Sequence, residues 1–364
     1  MYISKSVSRC ILPVAVGIAV AGWISPALAG PAEDAVDQQV EIAAQVAEAQ
    51  ARESWRANMA RTEAPAEGCF RADYPSIEWV ATKCETVVPR VTPRPPHPNP
   101  KLGGAQIASA GGGQTTGNGH DYVIQSANLI KSTVGTFPTV SNVTSEKGVG
   151  VAAFGGGGIL GPNEYSLQIN SNYTGTTSAC GGHSGCTVWE QFVYATDYSR
   201  QGSAYVFIQY WLIGYGGTRC PSGWGSDGAG DCYRNSRGVS APDEPITELA
   251  KMKLSGSATA GGNDTITFTH GTTAYSISAS DSVVKIASVW RQSEFNIVGN
   301  AGGSMAQFNS GASVTVHVAI TDGTSNKPSC VANAGSTGET NNLNLGSCTA
   351  SAGSSPSIQF TESN

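Results

Sequence analysis

Val188-Trp189-Glu190-Gln191-Phe192-Val193-Tyr194 is a run of β-branched and aromatic residues with one acid and one amide at its centre. It lies within a longer stretch of the same texture, Thr187 to Ala195, and Ala204 to Tyr215 repeats that texture soon after. Runs of this composition fit pleated strands. An unpaired polar group inside one costs roughly 1–3 kcal/mol, so Glu190 and Gln191 need a reason to be there. A second such segment runs from Val289-Trp290-Arg291-Gln292 into Ser293-Glu294-Phe295-Asn296-Ile297-Val298. Alternation puts Glu294, Asn296 and Val298 on one face and Ser293, Phe295 and Ile297 on the other.

Tyr165-Ser166-Leu167-Gln168-Ile169-Asn170 alternates in the same way, with Leu167 and Ile169 on one face. Further strands are expected at 246–258, 263–269, 273–279, 282–290, 293–298 and 312–321, separated by turns such as Gly261-Gly262-Asn263-Asp264 and Gly302-Gly303. The 45 glycines and only 13% charged residues suit a turn-rich β protein. Many short strands without intervening helices favour an antiparallel sandwich or jelly roll over a parallel sheet.

The first residues read as an export signal. Lys5 and Arg9 precede an apolar stretch from Ile11 to Ile24, and Ala27-Leu28-Ala29 is a small-x-small cleavage site. The apolar run is too short for a membrane span, is interrupted by Pro13 and is followed by Pro26. After cleavage the chain carries 19 Lys and Arg against 27 Asp and Glu. An acidic balance without a basic run makes nucleic acid a poor partner, and no membrane attachment is expected once the signal is gone. Val36, Val40, Ala44, Ala47, Ala51, Trp55 and Met59 recur three or four apart, which predicts a helix over 32–62. The Pro-rich segment from Val88 to Pro100 reads as an extended linker.

Eight cysteines remain, in four near neighbours: Cys69/Cys84, Cys180/Cys186, Cys220/Cys232 and Cys330/Cys348. Local pairing is expected because each couple brackets a short polar segment, and disulfides suit an exported protein. None has C-x-x-C spacing, and the scattered histidines offer no zinc motif. Asp227 to Asp231 lacks the alternating ligands of a calcium loop. Gly182-His183-Ser184-Gly185-Cys186 falls short of a hydrolase nucleophile elbow, because Cys186 stands where glycine is needed.

Ser293 to Val298, the Gly-rich turn Gly299 to Gly303, Gln307-Phe308 and Ser313-Val314-Thr315-Val316 together resemble the second catalytic strand and its return in the glutamic peptidases called eqolisins. Trp189-Glu190-Gln191-Phe192 resembles the strand carrying their catalytic glutamine, and Tyr205 to Tyr215 the aromatic strand after it. Phe192-Val193-Tyr194, Gln209-Tyr210-Trp211 and Cys232-Tyr233 through Val239-Ser240 are similar, in order, to elements of plant neprosin-type peptidases, which use two glutamates and carry an N-terminal pro-segment. The chain departs from the eqolisin pattern at Phe295, Asn296 and Gly299.

The resemblance implies a concanavalin-like β-sandwich of two antiparallel sheets and a secreted endopeptidase working in acid without cofactor or metal, on a polypeptide substrate. Glu294 would be the general base and Gln191 the oxyanion donor, with Glu190 replacing Gln191 if the register shifts by one. The expected organisation is a signal at 1–29, a helical and Cys-bracketed segment at 30–88 as a candidate pro-region, a linker at 89–118, the sandwich at 119–325 and a disulfide-tied tail at 326–364. Sequence alone assigns no oligomeric state. A competing reading is a secreted carbohydrate-binding or adhesion sandwich with Trp211, Tyr215, Trp224 and Tyr233 stacking on sugars. A third is an envelope protein without a ligand. Convergence of Gln191 and Glu294 in one cleft would favour hydrolysis.

Overall fold

A computed structural model describes residues 31–89, 121–150, 159–216, 219–228, 230–300, 304–332 and 339–364. The signal segment and most of the linker lie outside those residues. Helix α1 spans Pro31–Met59. The first strands are β1 Gly68–Asp73, β2 Val80–Thr82, β3 Glu85–Thr86, β4 Tyr122–Gln125, β5 Ser132–Ser141, β6 Glu146–Gly150, β7 Gly161–Pro162 and β8 Tyr165–Ser171. Next come β9 Thr187–Arg200, β10 Ser203–Ile213, β11 Gly225–Ser226, β12 Cys232–Ala241, β13 Lys253–Ala258, β14 Asn263–His270 and β15 Thr273–Ser280. The last are β16 Gln292–Gly299, β17 Ser304–Phe308, β18 Ser313–Thr321, β19 Ser329–Ala332, β20 Thr340–Asn341, β21 Asn344–Ser351 and β22 Ser357–Ser363.

Two large antiparallel sheets form a sandwich. The back sheet runs β2-β1-β15-β14-β13-β5-β18-β22-β21, and the front sheet β11-β12-β10-β9-β8-β16-β4-β19 with β3 on β12. A small sheet, β20-β17-β6-β7, lies beside them. Even-numbered side chains of β9 from Val188 to Tyr194 and odd-numbered ones of β16 fill the space between the large sheets. Tyr194 stacks on Phe268 at 3.9 Å, Phe192 on Trp290 at 5.6 Å, and Phe295 tilts on Phe137 at 4.9 Å. Glycine makes this closeness attainable. A Cβ at Gly135 would sit 2.2 Å from the Phe295 ring, and one at Gly256 2.6 Å from Phe192.

The boundaries expected at 88 and 325 fall inside the fold. β1 pairs with β15 over six residues, burying Cys69, Phe70 and Ala72. β3 extends the front sheet from β12, and Val87 packs with Val193 and Phe207 on that sheet's outer face. At the other end β22 pairs with β18 and buries Ile358, Phe360 and Glu362, while β19 closes on β4. Residues 326–364 therefore complete both sheets instead of decorating them. Low apolar content hid this, because a strand of an antiparallel sheet with one outward face needs apolar side chains on the other face only.

The helix divides between two compact units, one ending at Ala49 and the other starting at Gln50. In the first unit Val40 is 63% exposed, so the stripe read there covers no core. In the second, Trp55 and Met59 pack with Ala72 and Ala274, Trp55 Nε1 donates to Ser76 O at 2.7 Å, and Lys253 pairs with Glu53 at 2.6 Å.

Two expected strands are corrected. Ile246–Lys251 is a 3-10 turn beginning at Pro245, and the strand starts only at Lys253. The stretch 282–290 holds two 3-10 turns, Asp281–Val283 and Ile286–Ser288, linked by Lys285 at φ +59°. Asp281 fixes that corner by accepting from the backbone N–H groups of Ala287 and Gly261. Its apolar residues are buried by turns, which periodicity alone cannot separate from a short strand. All four disulfides join the expected neighbours, with Cα–Cα distances from 5.3 to 6.3 Å. Such pairing is consistent with an oxidising, extracellular setting. Among the described residues, no helix is long and apolar enough to cross a membrane.

Candidate active site

β8 lies between β9 and β16, and its register decides what meets. Asn170 stands opposite Gln191 on one side and opposite Glu294 on the other. Directly opposed residues point to the same face of a sheet. Gln191, Asn170 and Glu294 thus form one row on the outer face of the front sheet, with Phe192, Ile169 and Phe295 beneath in the core.

The row is hydrogen-bonded throughout. Asn170 Nδ2 donates to Glu294 Oε2 at 3.0 Å. Gln191 Nε2 donates to Asn170 Oδ1 and to Gln168 Oε1, both at 3.0 Å. Trp211 Nε1 donates to Gln191 Oε1 at 2.9 Å and to Gln209 Oε1 at 3.0 Å, and Gln209 Nε2 reaches Asn235 Oδ1 at 2.7 Å. The polarity of these amides follows from the chemistry at the two ends. An indole N–H only donates, so the atom of Gln191 facing Trp211 is oxygen and its nitrogen faces β8. An ionised carboxylate only accepts, so Asn170 presents nitrogen to Glu294 and oxygen to Gln191. Alternation in Tyr165 to Asn170 already put Gln168 and Asn170 opposite Leu167 and Ile169, and that signal could have named them.

Glu294 lies among other buried acids. Burial, then the charges of Glu294 and Glu362, push Asp121 well above the usual carboxylate range. Burial, then Glu294, raises Glu339 to about 8, and burial raises Glu362 to about 8. Asn296 Nδ2 donates to Glu362 Oε2 at 3.2 Å, and Asn341 Nδ2 donates to Ile297 O at 3.0 Å. In acid, Glu339 and Glu362 hold their protons and add no charge beside Glu294. Gln191 and Glu294 are each 1% exposed.

Glu190 is not brought to this row. It points between the sheets, where burial first and Asp264 next raise its pKa. Asp264 on β14 is itself raised to about 8. Two facing carboxyls in an apolar interior persist by sharing a proton. The offset by one residue that made Glu190 and Gln191 interchangeable in the sequence sends them to opposite faces in the sheet.

The aromatic residues of the binding reading are engaged within the protein. Trp211 is fully buried and bonded to Gln191. The Tyr215 ring stacks on His183 at 3.8 Å, Arg234 lies over Trp224 at 5.7 Å, and Tyr233 packs on Trp211 at 5.2 Å. Asp227 and Asp231 serve a turn: Asp227 Oδ1 accepts from Asp231 N at 3.0 Å, and Asp231 Oδ1 from Gly214 N at 2.6 Å.

No family model matches the chain, and no curated protein matches it. Among solved structures, the crystal structure of scytalido-glutamic peptidase with a transition state analog inhibitor is similar at 13% identity, over 66% of this chain and 97% of that one. The TM-score is 0.23, a superposition too loose to bear on chemistry.

Proposed function

We propose that this chain is a glutamic-type endopeptidase in which Glu294 activates water and Gln191 stabilises the oxyanion. The observation that carries the reading is the shared register: both side chains lie on one face, one strand apart, and both bond to Asn170. A carboxylate so placed can take a proton from water as its oxygen attacks a peptide carbonyl. The Gln191 amide, oriented by Trp211, offers N–H donors to the oxygen that becomes negative. A substrate carbonyl would take over an N–H now given to Asn170 or Gln168. Asn170 acts as a positioning residue, holding base and donor at a fixed offset. Collapse of the tetrahedral adduct needs a proton on the leaving nitrogen, and Glu294, having taken one from water, can return it.

The resemblance to glutamic peptidases implies acidic working conditions, under which Glu339 and Glu362, each raised to about 8, stay protonated. The test is incubation of the purified protein with denatured casein from about pH 2 to 8, with a chelator and a serine-reactive phosphonate present. Cleavage confined to the acid side and indifferent to both reagents supports the proposal. Absence of cleavage at every pH refutes it.

A further inference from the structure

Two buried donors in the aromatic cluster around Trp211 have no acceptor among the described residues. Trp189 precedes Gln191 by two residues on β9 and shares its face. It is 0% exposed, and its Nε1–H has no partner among the described residues. Tyr173, just beyond β8, is 5% exposed and its Oη is equally unpartnered. Desolvation lifts that phenol to about 12. Both belong to one aromatic cluster with Trp211, whose ring lies 5.8 Å from Trp189. Of these three aromatic donors, Trp211 is used to orient Gln191, and the other two are not used by the fold. Buried donors without acceptors are few in native proteins, and each asks for an explanation.

We propose that Trp189 and Tyr173 are substrate-binding residues that donate to backbone carbonyl oxygens of an extended polypeptide next to the bond addressed by Gln191 and Glu294. This rests on the peptidase reading above. Gln191 and Trp189 are two residues apart along a strand, roughly 7 Å, which is the repeat at which same-facing carbonyls recur along an extended peptide. A chain lying along β9 with one carbonyl at Gln191 would thus bring a second to Trp189. The ring faces around these donors suit apolar side chains on that part of the substrate. The substrate class is accordingly a polypeptide extending at least two residues beyond the scissile bond, not a dipeptide.

In the full chain, Tyr173→Phe removes the donor and keeps the ring, while Trp189→Phe removes the donor together with part of the buried indole. Their melting temperatures are measured beside kcat/KM on an eight-residue peptide and on a blocked dipeptide with the same scissile pair. Melting of Tyr173→Phe should stay level or rise, because no hydrogen bond among the described residues is lost, whereas Trp189→Phe melts lower by the cavity it leaves. The preference for the long peptide over the short one should fall about tenfold per variant, carried by KM. A lower melting temperature for Tyr173→Phe would show that its hydroxyl is bonded within the protein and would overturn the proposal. An unchanged preference with an active wild type would overturn it and leave the peptidase reading standing. A wild type inert on both peptides and on casein would overturn both.

Discussion

Glu146→Gln isolates one buried acid from the rest. Glu146 lies on β6 opposite Phe308, is 3% exposed, and neither carboxyl oxygen has a hydrogen-bond partner among the described residues. Burial, then the charge of Glu164, raises its pKa from 4.5 to about 8. The folded state therefore keeps a proton that the unfolded chain releases. The stability linked to this group is complete below about pH 4.5 and is lost as pH rises through about 8. Between 4.5 and pH 7 full linkage would amount to roughly 3 kcal/mol. The side chain lines an open cleft shared with Lys147 and Asn309, where water relaxes part of that cost, so about 2 kcal/mol is expected. Gln has nearly the same shape and does not titrate. Calorimetry should find variant and wild type melting together near pH 3.5 and the variant about 4 °C higher at pH 7. An equal shift at both pH values would mean a packing effect, and no shift at pH 7 would refute the assignment of a buried, raised carboxyl.

Three further outcomes follow from the packing. A chain beginning at residue 118 loses β1, β2, β3 and the Cys69–Cys84 disulfide, and it should aggregate or melt without cooperativity; a soluble, cooperative product would mean that β1 is dispensable. Glu190→Gln should keep casein cleavage within about twofold, since Glu190 faces Asp264 between the sheets, and a loss of about 100-fold would return Glu190 to the chemistry. Gln191→Ala should reduce kcat by about 10²–10³ with little change in fold, as loss of one oxyanion donor usually does, and a rate near wild type would remove Gln191 from that role.

The central strands were legible from their β-branched and aromatic residues, interrupted by an acid and amides. Alternation around Phe295 gave the face of Glu294 directly. The sheet order was not legible, since the meeting of Gln191 and Glu294 depends on β8 lying between their strands, and that is a long-range pairing. Which of Glu190 and Gln191 shares a face with Glu294 needed the register of β8 against both strands. The terminal segments were misjudged for a common reason. β1 and β22 are short, and β22 buries only alternate residues, so composition could not distinguish them from loops. Residues 282–290 were misjudged because the hydrogen bonds of Asp281, not hydrophobic period, shape that corner.

As the proposed base, Glu294 stands at the end of a row ordered by Asn170 and Trp211. The most direct measurement is casein cleavage by the full chain and by Glu294→Gln at the wild type's optimal pH, with melting temperature recorded on the same samples. Gln keeps the shape and can still accept from Asn170, but it cannot take a proton from water. A loss of at least about 10² in rate is expected, with a melting temperature close to wild type. A Glu294→Gln protein that cleaves at the wild-type rate would contradict the role of Glu294 as base.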